Sequence, residues 1–118
     1  MGVVNALASV AVKDLNSAAQ WYEKVLGRPA DSRPISEVAE WKFERGGGLQ
    51  VYQLQERAGS GSCTLVVSSV QGQVMHLEEV GINTGPRTSN DRVTTLMIKD
   101  PDGNSIAFVE ATAPSIAQ

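Results

Sequence analysis

The chain has 118 residues, of which 42% are hydrophobic and 19% charged, with a formal net charge of -3. That length suits one compact domain able to bury roughly two-thirds of its unfolded surface, and the ordinary apolar fraction excludes a disordered or collagen-like chain. Lys and Arg are scattered singly, so no basic stripe is offered to a nucleic-acid backbone or an anionic membrane.

Cys63 is the single cysteine, which rules out an intrachain disulfide and suits a reducing compartment. The opening MGVVNALASVAV lacks a basic leader, is interrupted by Asn5 and Ser9, and has Ala6 where a myristoylation signal needs Ser or Thr. No apolar run reaches membrane-spanning length. The cytoplasm is therefore the expected location.

In chain order, the apolar run Leu7 to Val12 reads as a strand. Leu15, Ala18, Ala19, Tyr22, Val25 and Leu26 then recur at helical spacing. Ser17 with Gln20 forms a capping-box pattern, and Gly27 stands where a helix end takes a positive φ. A strand near 30–35 is confined to an edge by Pro29 and Pro34, whereas Glu37 to Phe43 alternates cleanly. Gly46, Gly47 and Gly48 join this to Leu49–Tyr52 as a hairpin, with no helix following that would make a phosphate loop. Ala58 to Ser62 reads as a flexible joint.

The same grammar returns after the joint. Thr64 to Val67 is a strand, Val70, Val74, Leu77 and Val80 form one helical stripe ending at Gly81, and Ile82 to Arg87 is an edge candidate limited by Pro86. Val93 to Ile98 alternates as a strand. Asp100-Pro101-Asp102-Gly103 suits a type I turn, with Asp100 placed to bond the backbone that follows, and Ile106–Val109 is the last strand. A tail from Thr112 is expected to fray. Val12 and Val67, Gly27 and Gly81, and Leu49 and Ile106 are separated by nearly constant spacings, so the chain is a duplication. The expected organisation is one α+β domain of two tandem βαβββ modules, 4–57 and 62–111, forming a cup-shaped mixed sheet, with a tail at 112–118.

The duplicated unit, the segment KDLNSAAQWYEKVLG and the terminal DPDGNSIAFVE together resemble the vicinal oxygen chelate superfamily, the group of glyoxalases, bleomycin-resistance proteins and extradiol dioxygenases. The resemblance implies paired modules whose sheets curl into a cup. It also implies, for metal-dependent members, ligands on the first and fourth strands of each module, which fall here at Leu7, Gln50, Ser62 and Ala107. Leucine and alanine carry no donor atom, serine is a poor divalent ligand and glutamine offers one neutral carbonyl, so no metal and no cofactor is expected.

Alternation assigns Ile106 and Phe108 to the helix-covered core and Ala107 and Val109 to the cup, and likewise sets Gln50 and Tyr52 opposite Leu49 and Val51. The candidate ligand contacts are Trp41, Gln50, Tyr52, Ser62, Thr64, Arg92 and Ala107, with core packing the competing reading for Trp41. Arg87 and Arg92 flank a polar loop that reads either as a lid or as solvated turn residues. Glu110 and Tyr52 are the candidate proton-transfer groups. His76 beside the second helix stripe reads as a surface residue, and Cys63 as a small buried hydrophobe.

The resemblance implies a metal-independent small-molecule-binding protein of the bleomycin-resistance type, acting by sequestration as a homodimer, with antibiotic resistance as one outcome. The first alternative is a metal-independent isomerase, lyase or cyclase using Glu110, Tyr52 or His76. The second is a metal-dependent lyase or dioxygenase with unusual ligands. Whether the chain catalyses anything is left open by its sequence.

Overall fold

Strand alternation and the helical stripes give each element one apolar face, and the computed structural model, which describes residues 2–111, shows where those faces meet. The elements run β1 (Leu7–Val12), α1 (Leu15–Leu26), β2 (Ser32–Ile35), β3 (Val38–Lys42), β4 (Gly48–Gln53), a single 3-10 turn (Gln55–Arg57), β5 (Ser62–Val66), α2 (Val70–Glu79), β6 (Arg87–Ser89), β7 (Val93–Lys99) and β8 (Ser105–Ala111). The tail expected from Thr112 lies outside the described residues.

Two four-stranded mixed sheets result, ordered β1-β4-β3-β2 and β5-β8-β7-β6. In each, the first strand is parallel to the fourth and the remaining pairs are antiparallel. This is the tandem βαβββ, α+β architecture anticipated from the repeat. The sheets approach along β1 and β5, and the helices α1 and α2 touch each other.

Both helices lie on one side of the sheets. Trp41, Tyr22, Phe108, Leu15, Leu49, Leu77 and Ile106 are fully buried there, each exposed by less than 2%. Aliphatic and aromatic side chains of this size contribute about 1.5–3 kcal/mol each when removed from water, which makes this shared layer the main stabilising element.

Three local expectations are corrected. The capping box at Ser17 and Gln20 does not form, because α1 starts at Leu15 and its N-cap is Asp14, whose carboxylate accepts the Ser17 hydroxyl at 2.8 Å. The first amide of α1 finds a partner outside the helix, since Leu15 N–H donates to Gln53 Oε1 at 2.9 Å. The second half repeats the device: Val70 N–H donates to Glu110 Oε1 at 2.7 Å. The strand foreseen at 82–87 begins only at Arg87.

The third correction concerns the joint at 58–62, which is not a loose linker. Gly61 N–H donates to Asn104 Oδ1 and Ser105 N–H donates to Gly61 O, both at 2.9 Å, fastening it to the DPDGN hairpin. Gly59 has φ +87 and passes so close that an added Cβ would stand 2.2 Å from the Asp102 carbonyl oxygen. Only glycine fits there.

That hairpin also grips the first module. Asp100 Oδ2 accepts the Tyr22 hydroxyl and the Asn104 amide at 2.7 Å each, while its Oδ1 accepts the Asp102 and Asn104 backbone amides at 3.0 and 2.8 Å. Asn104 Nδ2 reaches Ala11 O at 2.8 Å, and Lys13 N–H donates to Asp102 Oδ2 at 3.1 Å. Asp100 and Asn104 are buried, 4% and 0% exposed, yet all their polar atoms are satisfied. The turn motif is thus a clasp between modules as well as a hairpin.

Candidate functional site

Helices cover one face of the sheets, and among the described residues no element covers the other. On β4, Leu49 and Val51 go to the core, leaving Gly48, Gln50 and Tyr52 on the open face. Pairing then sets Ser9 opposite Gln50, Gln50 opposite Glu40, and Glu40 opposite Ser32. The four side chains form a hydrogen-bonded row across the whole first sheet. Ser9 donates to Gln50 Oε1 at 3.1 Å, Gln50 Nε2 donates to Glu40 Oε2 at 2.9 Å, and Ser32 donates to Glu40 Oε1 at 3.4 Å.

The second sheet presents a different surface. Thr64 lies opposite Ala107 and Ala107 opposite Met97, while Met97 N–H donates to Pro86 O at 3.4 Å at the outer edge. Val66 is 58% exposed and Met97 37% exposed on this face, and Leu7 of the first sheet is 43% exposed near the seam.

The sequence-predicted contacts divide accordingly. Gln50, Tyr52, Thr64 and Ala107 occupy the open face, with Ser62 beside Ser105 at its end. Trp41 does not join them. It is 0% exposed in the helix-side core, where its indole N–H donates to Arg28 O at 2.9 Å and its ring stands 6.2 Å from that of Tyr22, so it is packing and not a stacking surface. Arg92 is exposed in a tight turn whose backbone amides at Arg92 and Val93 bond Asn90 Oδ1, so the segment is the β6–β7 hairpin and not a lid. Arg87 bonds Gln71 Oε1 at 3.0 Å.

Glu110, the candidate base, serves instead as the acceptor for the first amide of α2, where the positive end of the helix dipole suits a carboxylate. His76 Nε2 lies 2.6 Å from Lys24 O, joining α2 to the last turn of α1. Cys63 is buried, and desolvation followed by the charge of Asp100 pushes its thiol up to about 11 from 9.0, which keeps it protonated and inert at neutral pH. Glu40 and Ser9 were not singled out from the sequence. The available signal for Glu40 was its place between the core residues Ala39 and Trp41 on an alternating strand.

At the four positions to which the resemblance assigns metal ligands, the side chains present do not suit a divalent cation. Leu7 and Ala107 supply no donor, Ser62 stands at the strand end, and both ends of the Gln50 amide are engaged within the polar row. Among the described residues no three His, Cys, Asp or Glu side chains come together as a metal-binding group.

A cleft of about 860 Å³ opens where β1 and β5 part company, with Val25, Leu65 and Phe108 in its floor and Phe43, Thr64 and Val66 among its walls. Of the predicted contacts only Thr64 lines it. Through Thr64 and Val66 it runs into the open face.

No family model and no curated protein matches the sequence. Solved structures do. A glyoxalase/bleomycin resistance protein from Catenulispora acidiphila DSM 44928 is 31% identical, with a TM-score of 0.84 over 92% of this chain and 98% of that one. The chain belongs to the glyoxalase/bleomycin resistance family. TnmS3, an antibiotic binding protein from Streptomyces sp. CB03234, has 21% identity and a TM-score of 0.80, covering 95% of this chain and 99% of its own. A bleomycin resistance determinant encoded on transposon Tn5 has 16% identity and a TM-score of 0.78, covering 93% and 99%. These last two share the fold. None of its described helices is long and apolar enough to cross a membrane.

Proposed function

We propose that this family member is a metal-independent, small-molecule-binding protein that sequesters its ligand in the cup and works as a cytoplasmic homodimer. The observation that carries the reading is the open face itself: a built polar row on one sheet, an apolar surface on the other, and no donor set for a metal at Leu7, Gln50, Ser62 and Ala107. The fold shared with an antibiotic binding protein and a bleomycin resistance determinant supports sequestration. Ligand contacts are assigned to Gln50, Tyr52, Thr64 and Ala107, with Ser62 at the margin. The exposure of Leu7, Val66 and Met97 supports a second copy facing this surface, which would remove three apolar side chains from water. The capping duty of Glu110 argues against the isomerase, lyase or cyclase alternative that depends on it as a base.

A thermal-shift screen of a chemically diverse compound set, run with and without EDTA, tests the reading. A ligand at a hundred times its Kd stabilises by about 2.7 kcal/mol, a clear rise in melting temperature. The expected result is at least one stabilising compound whose effect EDTA leaves unchanged, with no stabilisation by Ni²⁺, Zn²⁺ or Mn²⁺ alone. Stabilisation by one of those ions at stoichiometric amounts would overturn it.

A further inference from the structure

The two open faces carry opposite chemistry at equivalent positions of the repeat. Each fourth strand offers its neighbours one central side chain, Gln50 in the first sheet and Ala107 in the second. Flanking it are Ser9 and Glu40 in one case and Thr64 and Met97 in the other. The duplication has therefore kept the frame and diverged in polarity.

The polar row has a direction. Ser9 donates into Gln50, Gln50 donates into Glu40, and Ser32 donates into Glu40 from the other side, so every hydrogen bond runs toward one carboxylate. Glu40 is half-buried, and among the described residues no cationic side chain pairs with it, although Lys42 follows two residues later on the same strand. A carboxylate on which such a row converges retains lone pairs that no described side chain uses, leaving them for a donor on a ligand. Across the face, two strand spacings of about 4.8 Å each separate β3 from β1, and the seam with β5 lies beyond β1, so the apolar side chains at Val66 stand on the far side of the seam from Glu40.

We infer that the cup is built for an amphipathic amine, with a protonated nitrogen on Glu40 and an apolar body extending over Val66, Ala107 and Met97. This rests on the small-molecule-binding reading above and names the ligand class. A charge-assisted hydrogen bond to Glu40 supplies recognition, and the alanine at position 107 leaves room for the apolar body where a larger side chain would stand.

The test uses two fluorescent probes titrated into the full chain: dansylcadaverine, which ends in an ammonium, and the otherwise identical alcohol. The wild type is expected to bind the ammonium probe roughly ten to a hundred times more tightly than the alcohol. In Glu40→Gln, which is isosteric and still accepts from Gln50, that ratio collapses toward one. In Met97→Ala both probes weaken and the ratio stays. Equal binding of the two probes by the wild type, or a ratio that survives Glu40→Gln, overturns the inference while leaving the binding reading intact. If neither probe binds while the thermal-shift screen yields ligands without a protonated amine, the inference again falls alone. If no compound of any class binds, both fall together.

Discussion

Tyr22→Phe isolates the inter-module clasp, because it removes one hydroxyl and leaves the ring in its fully buried place. In the wild type the Asp100 carboxylate accepts four hydrogen bonds, two at each oxygen, and the substitution leaves Oδ2 with Asn104 alone. A hydrogen bond to a charged group contributes about 1.5–3 kcal/mol, and the burial of Asp100 at 4% exposure prevents water from replacing it freely. For a domain of this size each kcal/mol corresponds to about 4 °C, so the melting temperature should fall by about 6–12 °C. Urea denaturation read by circular dichroism should show a lower midpoint with an unchanged m-value, since the same surface is exposed on unfolding. Hydrogen exchange should quicken at Lys13 and Gly61, whose amides donate to the hairpin's side chains. A variant within about 0.5 kcal/mol of wild type would refute the claim that the clasp holds the modules together.

Further expectations follow from other contacts. The Cys63 thiol is raised from 9.0 to about 11 by burial first and Asp100 second, so the fold favours its protonated form. Its contribution is intact below pH 9 and is lost as pH rises through about 11. Stability measured by urea titration should fall by about 2 kcal/mol across that window, and Cys63→Ala should flatten this part of the profile. Tyr22, raised by burial and then by Asp100, adds a decline above its ordinary value of 10.0 that Tyr22→Phe removes. Glu110→Ala should cost about 1 kcal/mol through the lost cap of α2, and Glu110→Gln only a fraction of that, both read by thermal melts with the compounds bound in the screen still binding. Gly59→Ala forces a Cβ against the Asp102 carbonyl at 2.2 Å and should destabilise by more than 1 kcal/mol, whereas the same change at exposed, uncrowded Gly47 should be nearly silent.

How much of this was legible depended on whether a signal was local. Gly27 and Gly81 both have φ +80, as the repeated helix ends implied, and the alternation around Gln50 and Ala107 sorted the core face from the cup face correctly. The capping of α1 misled because the first amide is satisfied by Gln53, 38 residues away, and no local pattern announces such a partner. Glu110 misled for the same reason: its position at a strand end resembles a cup rim until α2 is seen to begin against it. The glycine and serine content of 58–62 reads as flexibility, yet Gly59 is glycine because the Asp102 carbonyl approaches it. Trp41 and Glu40 are neighbours on an alternating strand, so choosing the face of one chose the face of the other. Aromatic character marks the indole as a ligand surface in the sequence, but it is the carboxylate beside it that faces the cup.

The central claim is that the cup binds an organic molecule without a metal. Native mass spectrometry of protein isolated gently from its source, without chelator or affinity metal, tests this most directly. The account predicts a dimer that carries an organic adduct, or accepts one from the compounds found by thermal shift, and contains no stoichiometric divalent ion. A dimer holding one or two divalent metals that survive desalting would contradict it.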